Sequence, residues 1–155
     1  MEIGGVGYNL VLTLAAEVGF DLAHSFPSAK NFTSWMGLSP NKRITGGKVL
    51  SSKSNRNKSR LAQAFRKSAN AIGRQKDTPL SDFFKRIAYK KGRKVAITAT
   101  ARKLAVIVYH MIVNKQAYQP QGVEDYRKKV RLQKVKYIQR TIEKLEIQAK
   151  ELEFS

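Results

Sequence analysis

Residues 37–60, GLSPNKRITGGKVLSSKSNRNKSR, constrain the fold of this chain more than any other stretch. They hold seven Lys or Arg among Ser, Thr and Asn, with a Gly-Gly pair and no acidic residue. Such a segment has too few apolar groups to offset the entropy of ordering, so it cannot bury itself. The core must come from the segments on either side. What the stretch can do is wrap a polyanion, with ammonium and guanidinium groups on phosphates and hydroxyls and backbone N–H in between.

The charge distribution carries the same message. Of the net charge of +19, residues 1–41 contribute −2 (one Lys against three acids). Residues 42–103 contribute +17, with nineteen basic residues against Asp77 and Asp82, and residues 104–155 contribute +4. One strongly basic third is the footprint of a nucleic-acid surface, DNA or RNA. The chain has 155 residues, 42% of them hydrophobic, enough for one domain with a modest core and an appendage. It has no cysteine, which excludes disulfides and thiolate metal sites. No run approaches the roughly 18 apolar residues of a membrane span, and the opening lacks the basic start of a signal peptide. A cytoplasmic setting without membrane contact is expected.

The apolar periodicity predicts an all-α fold with no convincing strands. The turn Ile3-Gly-Gly-Val-Gly7 precedes an apolar run, Tyr8 to Val18, that reads as a buried helix. Gly5 and Gly7 give this start a helix-hairpin-helix character, with backbone N–H groups suited to phosphate; a tight turn capping a core helix is the equal alternative. A short helix through Phe32, Trp35 and Met36 follows Ser25-Phe26-Pro27-Ser28 and stops at Gly37 and Pro40. After the basic loop, Asn41 to Asn57, helical spacing returns from Lys58 to Gly73, with Leu61, Phe65, Ala69 and Ile72 on one stripe and Arg60, Arg66 and Lys67 off it. Thr78-Pro79 opens a further helix, Lys90 to Lys94 reads as a second basic loop, and Val95 to Val113 is the main apolar helix, with Leu104, Ile107, Val108 and Met111 as core. Gln119-Pro120-Gln121-Gly122 is a linker. Beyond it Val135, Ile138, Ile142, Leu145, Ala149 and Leu152 step by 3 and 4, a heptad seam on a long amphipathic helix that wants a partner. The domains predicted are 1–118, helical and DNA-binding, and 123–155, a possible coiled coil.

The chemistry expected of these residues is mostly phosphate contact. Lys42, Arg43, Lys48, Lys53, Arg56, Lys58 and Arg60 supply charge, and Gly46 and Gly47 allow close backbone approach. Asp77 and Asp82 sit at helix starts, where they are expected to cap, and no third carboxylate joins them for a metal. His24 and His110 lie 86 residues apart, and His110 reads as a core histidine. Thr45, Ser51 and Ser52 are hydroxyls among cations. Attack on a phosphodiester would also need a proton acceptor, and none is evident nearby, so phosphate hydrogen bonding is the plainer use.

The ordered series of segments nevertheless resembles a known family. IGGVG and its apolar helix, FPSAKNFTSWMGLSP, NKRITGGKVLSS, the basic helix and AITATARKLAVIVYHMI are similar to the C-terminal transposase domain of the insertion sequence 110/116/902 family, across residues 3–114. The resemblance implies a DNA recombinase whose RuvC-like N-terminal nuclease domain holds an acidic DEDD set, and which works with a structured bridge RNA and a serine nucleophile. The position matching that serine is Thr45, whose β-branch crowds the oxygen; Ser51 and Ser52 are fallback candidates. No counterpart of the acidic domain is present, so a split or truncated transposase is expected. Mg²⁺ would then enter only with a nuclease-domain chain. The rival expectation is a non-catalytic helix-hairpin-helix nucleic-acid-binding module.

Overall fold

The computed structural model describes residues 3–41, 43–51, 54, 59–118 and 123–144. Among them the chain is helical, with one small hairpin. The order is α1 (Tyr8–Glu17), α2 (Leu22–Ser25), α3 (Ala29–Trp35), β1 (Arg43–Thr45), β2 (Lys48–Ser51), α4 (Arg60–Ile72), α5 (Pro79–Lys91), α6 (Arg93–Val113) and α7 (Val123–Lys144). Two compact units result, Met1–Gln119 and Pro120–Ser155.

Helix boundaries in the first unit follow local chemistry. Ser28, Ser59 and Thr78 are the N-caps of α3, α4 and α5, each accepting from the backbone N–H three residues on. Pro79 takes the first helical position of α5. α3 ends at Gly37, whose φ of 68° lets Leu38 N–H reach the Thr33 carbonyl and Gly37 N–H the Ser34 carbonyl. This turn buries Met36 and Leu38 beside Phe32.

α6 is the hub and packs against α2, α3, α4 and α5. Its buried residues, Ala96, Thr100, Ala101, Leu104, Ala105 and Tyr109, spread round more than one face because neighbours cover several sides. Three alanines among them permit close approach. By length and composition α6 could cross a membrane, contrary to the sequence expectation, yet it serves as a packed core helix. α4 meets it with the expected stripe, Leu61, Phe65, Ala69 and Ile72, all fully buried. Phe32 joins the layers: its ring lies 5.2 Å from Phe26, 6.3 Å from Phe65 and 6.0 Å from Tyr109. The Tyr109 hydroxyl donates to the Phe26 carbonyl at 2.7 Å, so this buried phenol keeps a partner.

Several expectations are corrected. The basic loop contains an antiparallel hairpin, because Gly46 and Gly47 both adopt positive φ (55° and 74°) and make the two-residue turn that matches strand twist. The second basic loop shrinks to Gly92 (φ 83°), with Lys90 and Lys91 in α5 and Arg93 and Lys94 in α6. α1 buries only Leu10 and Leu14, leaving Tyr8 and Leu12 exposed, so it lies on the core rather than within it. His110 is exposed. Asp82 stands in the first turn of α5, but Asp77 precedes the cap with φ 59°, and Thr78 does the capping.

In the second unit α7 is exposed from Arg131 to Arg140. Leu132, Val135, Tyr137 and Ile138 face solvent, while Ile142 is half-buried. The linker 119–122 and the seam positions Leu145, Ala149 and Leu152 lie outside the described residues.

Between α5 and α6, Lys103 Nζ lies 4.6 Å and Arg86 Cζ 5.6 Å from the centre of the Phe83 ring. Burial, and then the Arg86 charge, hold the Lys103 ammonium below the usual lysine range. Burial pushes the Tyr118 phenol above its own.

Two outcomes follow from this packing. Phe32→Ala should cost about 3–5 kcal/mol in urea unfolding, whereas Tyr8→Ala on the exposed face of α1 should stay within about 0.5 kcal/mol. As pH rises through the lowered pKa of Lys103, the folded protein releases a proton that the unfolded chain keeps until about pH 10.4. Wild type should therefore lose stability relative to Lys103→Met as pH falls from about 10.4 towards that lowered pKa, with the loss complete below it. The comparison belongs on the acid side of the tyrosine range, near about pH 10, where loss of the Tyr118 proton from the unfolded chain acts with the opposite sign.

Candidate nucleic-acid interface

α1 and α4 border a cleft of about 460 Å³. Gly5 and Gly7 of the Gly-rich turn line it, together with the apolar Leu10, Ala64 and Ala71. Polar groups line the rest: Asn9 and Thr13 from α1, and Arg60, Gln63, Lys67 and Ser68 from α4. Arg60 and Lys67 are exposed and stand two turns apart on one side of α4. Two cations flanked by amide and hydroxyl groups along a shallow trough are the chemistry that phosphate and sugar oxygens require. Gly5, Gly7, Arg60 and Lys67, expected as separate contacts, thus line one groove. Asn9, Thr13 and Gln63 carry no mark in the sequence, because uncharged polar residues on a helix give no signal until their neighbours across the groove are known.

The two glycines have different reasons to be there. Gly5 has φ 85°, and a Cβ on it would come within 2.8 Å of the Ile72 side chain, so the turn needs glycine to rest on α4. A Cβ on Gly7 would meet nothing within 4 Å, and its backbone is extended, which leaves its surroundings open at the start of α1.

At the other end of the groove Glu17 reaches α4. Its Oε2 accepts from Leu61 N–H at 3.3 Å and from the Ser59 hydroxyl at 3.4 Å. A carboxylate at a helix N-terminus is favourable, and it ties the end of α1 to the start of α4. This contact spans more than forty residues of sequence and could not be read from local patterning.

The basic surface continues over α4. Helical periodicity turns Arg60, Gln63 and Lys67 away from the buried stripe, with Arg66 and Asn70 on the flank towards α6, and exposed Arg74 follows in the turn after the helix. There Arg93 donates through Nη2 to Asn70 Oδ1 at 2.7 Å, joining the start of α6 to α4. Arg93 and Lys94 stand at the positive end of α6, and its N-cap Gly92 makes no side-chain hydrogen bond. Cations placed there run against the helix dipole, at a cost of a few tenths of a kcal/mol each.

The hairpin forms the other group. Thr45 pairs with Lys48 across the Gly46–Gly47 turn, and all four residues are exposed. Ser51 pairs with Arg43 at the base and is half-buried. Lys42, Ser52, Lys53, Arg56 and Lys58 lie outside the described residues, and Arg43 is described in its backbone alone. Among the described residues no three His, Cys, Asp or Glu side chains come together as a metal site.

Comparison with known proteins gives one match. Residues 1–85 fit the sequence model of the family described as Transposase IS116/IS110/IS902 family. That is more than half of the 155 residues. The match takes in the turn, α1 to α4, the hairpin and the first half of α5, and stops before α6. No curated protein and no solved structure matches the chain.

Proposed function

The chain belongs to the IS116/IS110/IS902 transposase family, and from that membership we propose that it grips DNA during transposition or recombination. The observation that carries this reading is the groove between α1 and α4, with Arg60 and Lys67 on its wall and the basic face of α4 beside it. Its backbone N–H groups, amides and cations would follow a phosphate backbone without regard to base sequence. In this reading residues 1–118 are the C-terminal, DNA-binding domain of a serine-type transposase with a RuvC-like nuclease partner. The segment 123–155 self-associates through the stripe that includes Val135 and Ile138, and a structured guide RNA is a further ligand for the basic surface.

Thr45 is the residue proposed at the nucleophile's position. In such a step its oxygen bonds to phosphorus, the bridging P–O bond breaks, and the leaving oxygen departs as the strand's free hydroxyl after taking up a proton. The exposed position of Thr45, opposite Lys48 at the hairpin turn, supports access to a phosphodiester and charge for the phosphorane. The chemistry that Mg²⁺ would add is neutralisation of that charge and activation of the leaving oxygen. The described residues do not fit such an ion, since Asp77 and Asp82 stand at one helix start with no third acid beside them. Its ligands would come from outside the described residues, in a nuclease domain of this chain or another.

A second reading, a non-catalytic binding module, is favoured by one observation: residues 42–76 contain no Asp, Glu or His to take the nucleophile's proton.

Both readings require a steep salt dependence. Binding of a fluorescent DNA duplex should weaken sharply from low to moderate salt, and Arg60→Ala with Lys67→Ala should lower the log–log slope by about two. A flat response overturns nucleic-acid binding. Catalysis is tested with Mg²⁺, a DNA junction and a nuclease-domain chain. A covalent protein–DNA adduct lost in Thr45→Ala is expected if Thr45 attacks, and identical products from both proteins favour the binding module.

A further inference from the structure

The hairpin displays two large apolar side chains that the core does not use. Ile44 is 57% and Leu50 70% exposed, one on each strand beside the Gly46–Gly47 turn. The ladder pairs Ile44 with Val49 and Arg43 with Ser51, so Leu50 is the extra residue of a bulge. Bulges bend a strand and re-aim a side chain, and they recur where a strand meets a ligand. A single exposed leucine needs no explanation. Two such side chains on a short ribbon with open edges are a liability unless something covers them.

Charge decides what covers them. The ribbon lies within residues 42–60, which hold seven Lys or Arg and no acid. An apolar protein surface would leave these cations without partners, whereas a nucleic acid offers phosphates for them and base edges for the apolar groups. Two-stranded ribbons fit the B-form major groove, about 12 Å wide, where thymine methyl groups accept apolar contact. The major groove of an A-form RNA helix is too deep and narrow.

We propose that the ribbon Arg43–Ser51 enters the major groove of a DNA duplex, with Ile44 and Leu50 against base edges and Lys48 on a flanking phosphate. The inference rests on the nucleic-acid reading above and adds to it a duplex form and a set of contacts that are not ionic. Because counterion release scales with charge, those contacts change affinity without changing the salt slope.

The test uses the full chain with a DNA duplex and an RNA duplex of the same sequence, followed by fluorescence anisotropy across a salt series. Wild type should prefer the DNA duplex. Ile44→Ala with Leu50→Ala should weaken DNA binding roughly ten-fold at unchanged slope and leave RNA binding nearly intact. Lys48→Ala should lower the slope by about one, and Leu50→Met should bind like wild type. Both apolar side chains lie outside the core, so the double variant should melt like wild type; if it melts early, Leu50→Ala alone carries the comparison. Equal binding by variant and wild type overturns the ribbon, as does an equal loss on RNA. A change of sedimentation without DNA also overturns it, by showing that the apolar pair faces a protein. A wild type that binds neither duplex overturns the underlying reading as well, while a steep wild-type salt slope with an indistinguishable variant removes the ribbon alone.

Discussion

Burial of Phe32 is the interaction on which the first unit depends. Its ring is the point where α3 reaches both α4, through Phe65, and α6, through Tyr109. The cost of ordering the seven residues of α3 cannot be met by so short a helix alone. It is offset by that ring, by Met36 and Leu38 beyond it, and by the Tyr109 hydroxyl on the Phe26 carbonyl. With α3 fixed, the chain leaves towards the hairpin from a defined place. The exposed ribbon begins five residues after the buried Leu38, although it has no core of its own.

The second constraint is electrostatic. A segment at +17 repels itself, and folding α4 brings Arg60, Arg66, Lys67 and Arg74 onto a single short helix and its end. Few local devices answer this. Glu17 supplies a carboxylate at the start of α4, and Asn70 offers an oxygen to Arg93. Asp82 supplies another acid in the first turn of α5. Among the described residues Arg60, Lys67, Arg74, Lys90 and Lys91 stay exposed, where solvent screens them at a small cost each. Arg93 and Lys94 at the start of α6 go further, since they oppose the dipole of their own helix. A local rule broken beside the basic helix α4 is the pattern expected where a polyanion-binding surface outweighs stability.

How much of this is legible in the sequence depends on the range of the interaction responsible. The α4 stripe of Leu61, Phe65, Ala69 and Ile72 is visible because burial on one side leaves a 3.6-residue period. α6 is visible as a helix, but its buried set of Ala101, Ala105 and Tyr109 is not, because a helix covered on several sides has no single stripe. The hairpin escapes for a different reason. Its strands, three and four residues long, lack the alternation of a half-buried strand, and only the Gly-Gly pair marks the turn. The exposure of His110 and the partial exposure of α1 reflect where neighbours stop, which composition does not encode. The groove is half legible: its cations can be named, but the α1–α4 contact that gathers them runs through Glu17 and Gly5, and neither gives a long-range signal.

In the proposed reading the position of Thr45 divides the chemistry that this segment would carry from the chemistry it would have to receive. A hydroxyl that attacks phosphate needs positive charge for the developing oxyanions and an acceptor for its proton. Lys48, paired with Thr45, offers the first, and exposure at a tight turn gives an incoming strand room to approach. The second is not met by the segment itself, since no Asp, Glu or His occurs from residue 42 to residue 76. Adding a carboxylate beside Thr45 would supply the base but weaken the grip on the same phosphate, because like charges repel. A surface built this way holds and stabilises more readily than it initiates. In the proposed reading a separate acidic domain would deliver the base and metal ligands, so that the two sets of charges would meet only with DNA between them and neither would have to be buried against the other.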